Sequence, residues 1–310
     1  MRKAGASVRA PFPTPASAAP IAMPVTVHSL YSYPIKSCAG IAHTQALVSP
    51  AGLPYDRNWV IVDARGIFMT QRSCARMALI QPALDEEFLH LSAPDMADIR
   101  VPLRPADPAR AAVPVRIWKS DTLGADEGEA VAQWLSRHLG QTCRLLRVHP
   151  QARRVANPEY VGPWIDKHRD WAPEFPADHQ FAFADGYPFL FIGLASLDEL
   201  NRRLAERGVA PVPMNRFRPS IVIAGLEPHE EDYLAGVGIG TRRFGFVKRC
   251  ARCPIPNIDQ DTAISADEPG LTLVRYRSFD DGVLFGVNAV MDGEPAPIRV
   301  GDTVEPEFDL

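Results

Sequence analysis

Apolar and polar residues alternate from Val25 through Val27 towards Leu30 and Tyr33, ahead of Pro34 and the pair Lys36-Ser37. That alternation predicts a strand with one buried face, closed by a turn. Residues 57–63 and 67–70 are two further β-rich runs, and the three residues between them include Gly66, so they read as a hairpin. Short β-like runs follow at 88–91 and 115–118. Two helices are predicted from their ends. Asp126 stands three residues before Glu129, with Ala130, Val131, Trp134, Leu135, His138 and Leu139 on one stripe and Gly140 as the stop. His138 reads as a packing or surface residue on the flank of that helix. Ser196 and Glu199 form a second capping box, with Leu197, Leu200 and Leu204 inward and Gly208 as the stop. The last third returns to β, with residues 271–276, 284–290 and 298–304 reading as three strands.

This grammar predicts a mixed, β-rich α+β chain. A β-barrel-like or sandwich-like domain covers residues 25–145 and a second domain covers 146–310. The boundary falls in 145–180, a stretch rich in Pro, Arg and Trp. Residues 1–24 are basic, rich in Ala and Pro, and free of Asp and Glu. They lack the apolar centre of a secretion signal and read as a disordered tail, with a transit-like segment as the alternative and Met23 as an alternative start. No strand-to-helix junction carries a Gly-rich phosphate fingerprint, which argues against a dinucleotide fold.

The 310 residues include 33 basic and 37 acidic side chains, a balance that argues against nucleic acid as the main partner. No run approaches the roughly 18 apolar residues of a membrane span. Five cysteines, an odd number, do not read as a disulfide scaffold in a chain of this size, and a reducing, cytoplasmic compartment is expected.

The strongest local signal is Lys248-Arg249-Cys250-Ala251-Arg252-Cys253-Pro254, two cysteines among three cations. Positive neighbours favour a thiolate, which is both a nucleophile and a soft metal ligand. A structural zinc site lacks a second ligand pair here. A thioredoxin-like pair lacks its helix, since Pro254 and Pro256 follow. Two structural cysteines beside a strand remain open.

Taken with Ile258-Asp259 five residues on, this motif resembles the signature of the MOSC family, named after the C-terminal domain of molybdenum cofactor sulfurase. Other blocks resemble it in order: Tyr33-Pro34-Ile35-Lys36-Ser37 with Gly40, Tyr55-Asp56-Arg57-Asn58-Trp59, Phe68-Met69-Thr70-Gln71-Arg72, Asp185-Gly186-Tyr187-Pro188, Asn215-Arg216-Phe217-Arg218-Pro219-Ser220 and Val300-Gly301-Asp302. By layout the chain is similar to amidoxime-reducing components and their bacterial counterparts. The resemblance implies an N-terminal β-barrel domain and a MOSC β-barrel core with a few flanking helices, holding a pyranopterin-bound molybdenum. It implies Cys253 as the molybdenum ligand and catalytic residue, with Cys250 structural or one layer behind it. Lys36, Ser37, Arg57, Arg218 and Ser220 would bind the cofactor, and Arg72 and Arg252 would line its entrance. Each cation taken alone is an ordinary solvated charge; their positions in matched blocks reverse that reading. Two departures stand out: Ser220 where relatives often carry Asn, and Ala263 where they usually carry Gly.

The implied activity is reduction of N-hydroxylated small molecules, such as amidoximes and hydroxylamino-purines. No clustered-cysteine iron–sulfur domain and no pyridoxal-phosphate domain accompany the motifs, so electrons are expected from a separate ferredoxin- or cytochrome-type protein with its reductase. The alternative is a non-catalytic protein that binds the molybdenum cofactor or carries sulfur on Cys253.

Overall fold

The computed structural model describes residues 24–309, apart from 106, 108, 109 and 174. The tail predicted over residues 1–24 therefore lies, but for Pro24, outside the described residues. The fold is mixed and β-rich. Its largest sheet runs in the order Val304–Phe308, Leu234–Ile239, Arg242–Ala251, Gly282–Met291, Phe189–Gly193, Ile221–Ala224, Thr26–Ser32, Ile41–His43. A second sheet joins Trp59–Asp63, Cys143–Val148, Ser120–Asp126 and Val113–Ile117, and a third joins Gln81–Leu84, Phe88–Ser92 and Ile99–Pro102. The first strand of the chain thus lies in the large sheet, antiparallel to Ile221–Ala224, and Ala296–Arg299 pairs with Gln45–Val48.

In the first strand Val27 and Leu30 are both buried although three residues apart. A register shift between Val27 and Ser29 resets the alternation, as a bulge does. The core of the large sheet packs Phe189 against Phe244 edge to face, with centroids 5.1 Å apart, and Phe191 against the same ring at 5.3 Å. The second core joins Trp59, Ile61, Met77, Trp134 and Leu135.

The expected hairpin is present: Gly66 donates to the Asp63 carbonyl, and Met69 to that of Ile61. Both helices form, but neither begins at its predicted cap. Asp126 ends a strand and its carboxylate takes Arg144, so the helix is Glu129–Leu139 with Gly128 at its start. Val131, Trp134, Leu135, His138 and Leu139 are its buried stripe, whereas Ala130 is exposed. Gly140 closes it in the left-handed region at φ 71°. The second helix is Leu194–Glu206, starting before Ser196, whose buried hydroxyl donates to Glu231 at 2.8 Å instead of capping. It bridges Phe189–Gly193 and Ile221–Ala224, which pair in parallel, a strand–helix–strand unit without a phosphate fingerprint.

Two of the three C-terminal strands are corrected. Residues 271–276 lie in a helix, Gly270–Arg277. Asn257 accepts the Gly270 N–H and Glu268 that of Thr272, while Arg277 is tied inside to Asp232, so tertiary partners override the apolar alternation. Residues 298–304 do not form one strand: Ala296–Arg299 and Val304–Phe308 flank a turn at Gly301, φ 93°. Among the described residues, no helix is long and apolar enough to cross a membrane.

Candidate functional site

Six segments converge on one cleft of about 310 Å³. They are the loop after Thr26–Ser32, Arg57 just before Trp59–Asp63, the 184–190 run, the turn into Ile221–Ala224, the end of Arg242–Ala251, and Asn288 on Gly282–Met291. Lys36, Arg57, Arg218, Lys248, Arg249 and Arg252 line it, with Asp185 as its one lining carboxylate among the described residues. A concave site this rich in cations is built for an anion.

Backbone geometry holds part of this wall. Ser37, Arg57 and Arg218 have φ of 66°, 49° and 57°, a left-handed region that costs about 1–2 kcal/mol per non-glycine residue. Local bonds hold them there. The Lys36 N–H donates to the Trp59 carbonyl at 2.8 Å, the Arg57 N–H to that of Tyr33 at 2.8 Å, and Gln71 donates to the Ser37 carbonyl at 2.9 Å. The Tyr33 ring is within cation–π range of both guanidinium groups, 4.4 Å from Arg57 and 4.2 Å from Arg218, so two like charges share one aromatic ring. Gly40 is required beside it, because a Cβ there would meet Tyr33 Cε1 at 2.5 Å. Arg57 pairs with Asp56, whose other oxygen takes the Tyr33 N–H, and Arg218 donates to the Cys38 carbonyl at 2.5 Å.

Burial pulls the Arg218 guanidinium down to about 10, against Tyr33, which favours its charge. Burial also lowers the Lys36 ammonium, against the Asp185 carboxylate 2.5 Å away. At Asp185 the crowding of the wall favours the neutral acid, but Lys36 and the Trp118 N–H outweigh it and hold the carboxyl below its usual range. Asp185 stands at the rim with 69% of its side chain accessible, so water discounts the strength of that pair.

The two motif cysteines both line the cleft. Cys253 is exposed; Cys250 is half-buried and accepts an N–H from Arg252 at 3.2 Å. Arg252 also donates to the Phe217 carbonyl at 2.7 Å. Cys38 differs, its thiol buried and pushed up to about 12. Among the described residues no three His, Cys, Asp or Glu are grouped to hold a metal, so a metal here would bring most of its ligands with it.

Of the residues expected from sequence, Lys36, Ser37, Arg57, Arg218, Ser220, Arg252 and Cys253 line the cleft together. Arg72 does not: it is stacked on Trp118 at 4.1 Å, one side chain out from Asp185. Ser220 is buried and its hydroxyl accepts the Leu190 N–H at 3.3 Å. The Ile258-Asp259 block is scaffolding, with Asp259 pairing Arg216 at 2.6 Å and accepting from Asp261 and Thr262. Ala263 keeps that turn at φ 58°, a conformation glycine adopts without strain. Sequence reasoning missed Lys248, Arg249 and Asn288 as lining residues. An Asn inside the apolar run 284–290 was the available signal for the last.

These features define a cationic cleft closed by a thiol, on a chain whose residues 24–142 match the MOSC N-terminal beta barrel domain and residues 178–305 the MOSC domain. The chain belongs to the MOSC family. It is 35% identical over 294 residues to mitochondrial amidoxime-reducing component 1 of Mus musculus, covering 90% of this chain and 81% of that protein. The Homo sapiens protein of the same name is 33% identical, covering 90% and 82%. Molybdenum cofactor sulfurase of Danio rerio is 31% identical over 84% of this chain but only 31% of its own length.

A phosphorylated pterin carrying a metal fits this cleft. Arg218 Nη2 and Arg252 Nε are buried without a hydrogen-bond partner, leaving donors to spare for an anion, and Cys253 offers one soft sulfur at the edge.

Proposed function

We propose that this chain is a molybdenum-cofactor-dependent reductase of N-hydroxylated compounds, amidoximes and hydroxylamino-purines among them, supplied with electrons by a separate redox protein. The carrying observation is the convergence of Lys36, Arg57, Arg218 and Arg252 with Cys253 on one cleft, in a chain similar along 90% of its length to amidoxime-reducing components. The overall change is R–NHOH + 2e⁻ + 2H⁺ → R–NH₂ + H₂O. When bound, the cofactor supplies the two-electron, oxygen-accepting centre. The protein supplies position and field. Arg57 and Arg218, both against the Tyr33 ring, would hold the phosphate as forked donors, with Lys36 and Ser37 adding a point charge and a hydroxyl. Cys253 would give the metal its protein thiolate. Ser220 holds the Leu190 backbone and thereby the floor of the cleft. Arg72, through Trp118, braces the rim at Asp185.

The exposure of Cys253 also suits the second reading, a cofactor-binding or sulfur-carrying protein without catalysis. One experiment separates the two. Protein purified from a molybdate-supplied host is analysed for molybdenum and pterin, then given benzamidoxime and a chemical reductant. Bound molybdenum with benzamidine formation supports the reductase; bound molybdenum without turnover supports the carrier. Absence of molybdenum sinks the reductase and the cofactor-binding form of the second reading, leaving only sulfur carriage on Cys253.

A further inference from the structure

Three of the six cations lining the cleft have a carboxylate beside them: Lys36 has Asp185 at 2.5 Å, Arg57 has Asp56, and Arg249 has Asp281 at 3.6 Å. Among the described residues, Lys248, Arg218 and Arg252 are in no ion pair. Two of the three unpaired cations are accounted for: Arg218 belongs to the Tyr33 wall, and Arg252 donates to Cys250 and Phe217.

Lys248 is placed differently. Its ammonium stands 4.0 Å from the centre of the Tyr160 ring, on helix Pro158–Lys167, which orients the charge without cancelling it. Arg249, the next residue, lies over the Phe279 ring at 4.7 Å and beside Asp281, so of the two it is Lys248 whose charge is left for the cleft. The ladder to Gly282–Met291 shifts register between Phe246 and Lys248, and such a bulge re-aims the side chain that follows it. Asn288, directly across the ladder from Lys248, adds an amide to the same lining.

Resting on the function proposed above, we infer that Lys248, with Asn288 across the ladder, forms a second anion subsite that takes a phosphate or carboxylate carried by the N-hydroxylated substrate. Net charge on the substrate then sets specificity, and the cofactor's phosphate occupies the other wall.

The test uses the cofactor-loaded protein and a chemical reductant with two substrate pairs: a hydroxylamino-purine riboside against its 5′-monophosphate, and benzamidoxime against its 4-carboxylate. The anionic member of at least one pair should have a kcat/KM about tenfold higher, carried by KM and eroded by salt, the size of one charge-assisted contact. The pair that shows it separates phosphate from carboxylate. Lys248→Ala should bring that ratio to about one, and Tyr160→Phe, which keeps the ring, should preserve it. Calorimetry with a non-reducible purine riboside monophosphate gives a readout without turnover: binding by the parent protein and none by Lys248→Ala is expected. Equal kcat/KM within both pairs overturns the subsite and leaves the reductase standing. Loss of pterin from Lys248→Ala also overturns it, since Lys248 then serves the cofactor. No reduction of any of the four sinks the reductase, and the calorimetry alone then decides the subsite.

Discussion

Arg57 and Arg218 reach the cleft from backbone held in the left-handed region, whereas Lys248, Arg249 and Arg252 reach it from the bulged end of a long strand. The first wall is tied to its surroundings through the Trp59, Tyr33 and Cys38 carbonyls and shares one aromatic ring between two charges. On the second wall, Lys248 rests on one ring and Cys253 is open to solvent. Strain retained on one side and freedom on the other fit a fixed anchor facing a reactive edge. Preorganised charge costs nothing to orient when a ligand arrives, while an exposed sulfur remains reachable.

The largest effect expected on this contrast is at the reactive edge. Cys253→Ser exchanges a soft thiolate for a hard hydroxyl and should reduce turnover under chemical reductant to background, while Cys250→Ser keeps substantial activity. Equal losses in both would make the two sulfurs a working pair and erase the distinction between edge and support. At the anchor, Arg218→Ala removes a charge-assisted contact worth about 1.5–3 kcal/mol, so pterin affinity should fall roughly 10–100-fold, read as pterin released from purified protein. Full retention would shift the anchor to other residues.

A third test concerns the loop that leads into the 184–190 run. His179 is fully buried there, its backbone accepting from Ala156, and burial holds its ring down at about 4. The unfolded chain takes up that proton near 6.5, so the stabilisation is complete above that pH and is lost as pH falls towards 4. From pH 7 to 5 the cost from this one ring is about 2 kcal/mol, measurable as a fall in the urea midpoint that His179→Phe should abolish. An unchanged slope in that variant would show that the ring is protonated in the fold. The smallest effect is expected outside both walls: Ala263→Gly relieves a left-handed alanine and should stabilise the protein by up to about 1 kcal/mol in thermal unfolding.

Much of the anchor was legible because matched blocks name residue types whatever their distance in space, and Lys36, Ser37, Arg57 and Arg218 do meet. The edge was only half legible. Lys248 stands just past a register shift at Phe246, and that irregularity is made in the pairing with the neighbouring strand, which the alternation along its own strand does not show. The same limit explains the segment 271–276: its apolar spacing suits a strand, and only Asn257, Glu268 and Asp232, remote or non-periodic, turn it into a helix. Cap errors at Asp126 and Ser196 share a cause, since each side chain had a stronger partner elsewhere, Arg144 and Glu231.

The opening strand Thr26–Ser32 is hydrogen-bonded beside Ile221–Ala224, and Gln45–Val48 beside Ala296–Arg299. Bonds across the cleft join residues 149, 161 and 180 positions apart. A chain closed this way folds slowly, since loops of that length must shut before any contact rewards them. During synthesis, the Lys36 and Arg57 segment leaves the ribosome long before its partners exist. The cleft is therefore completed only after nearly the whole chain has been made, and whatever anion it takes can enter only post-translationally.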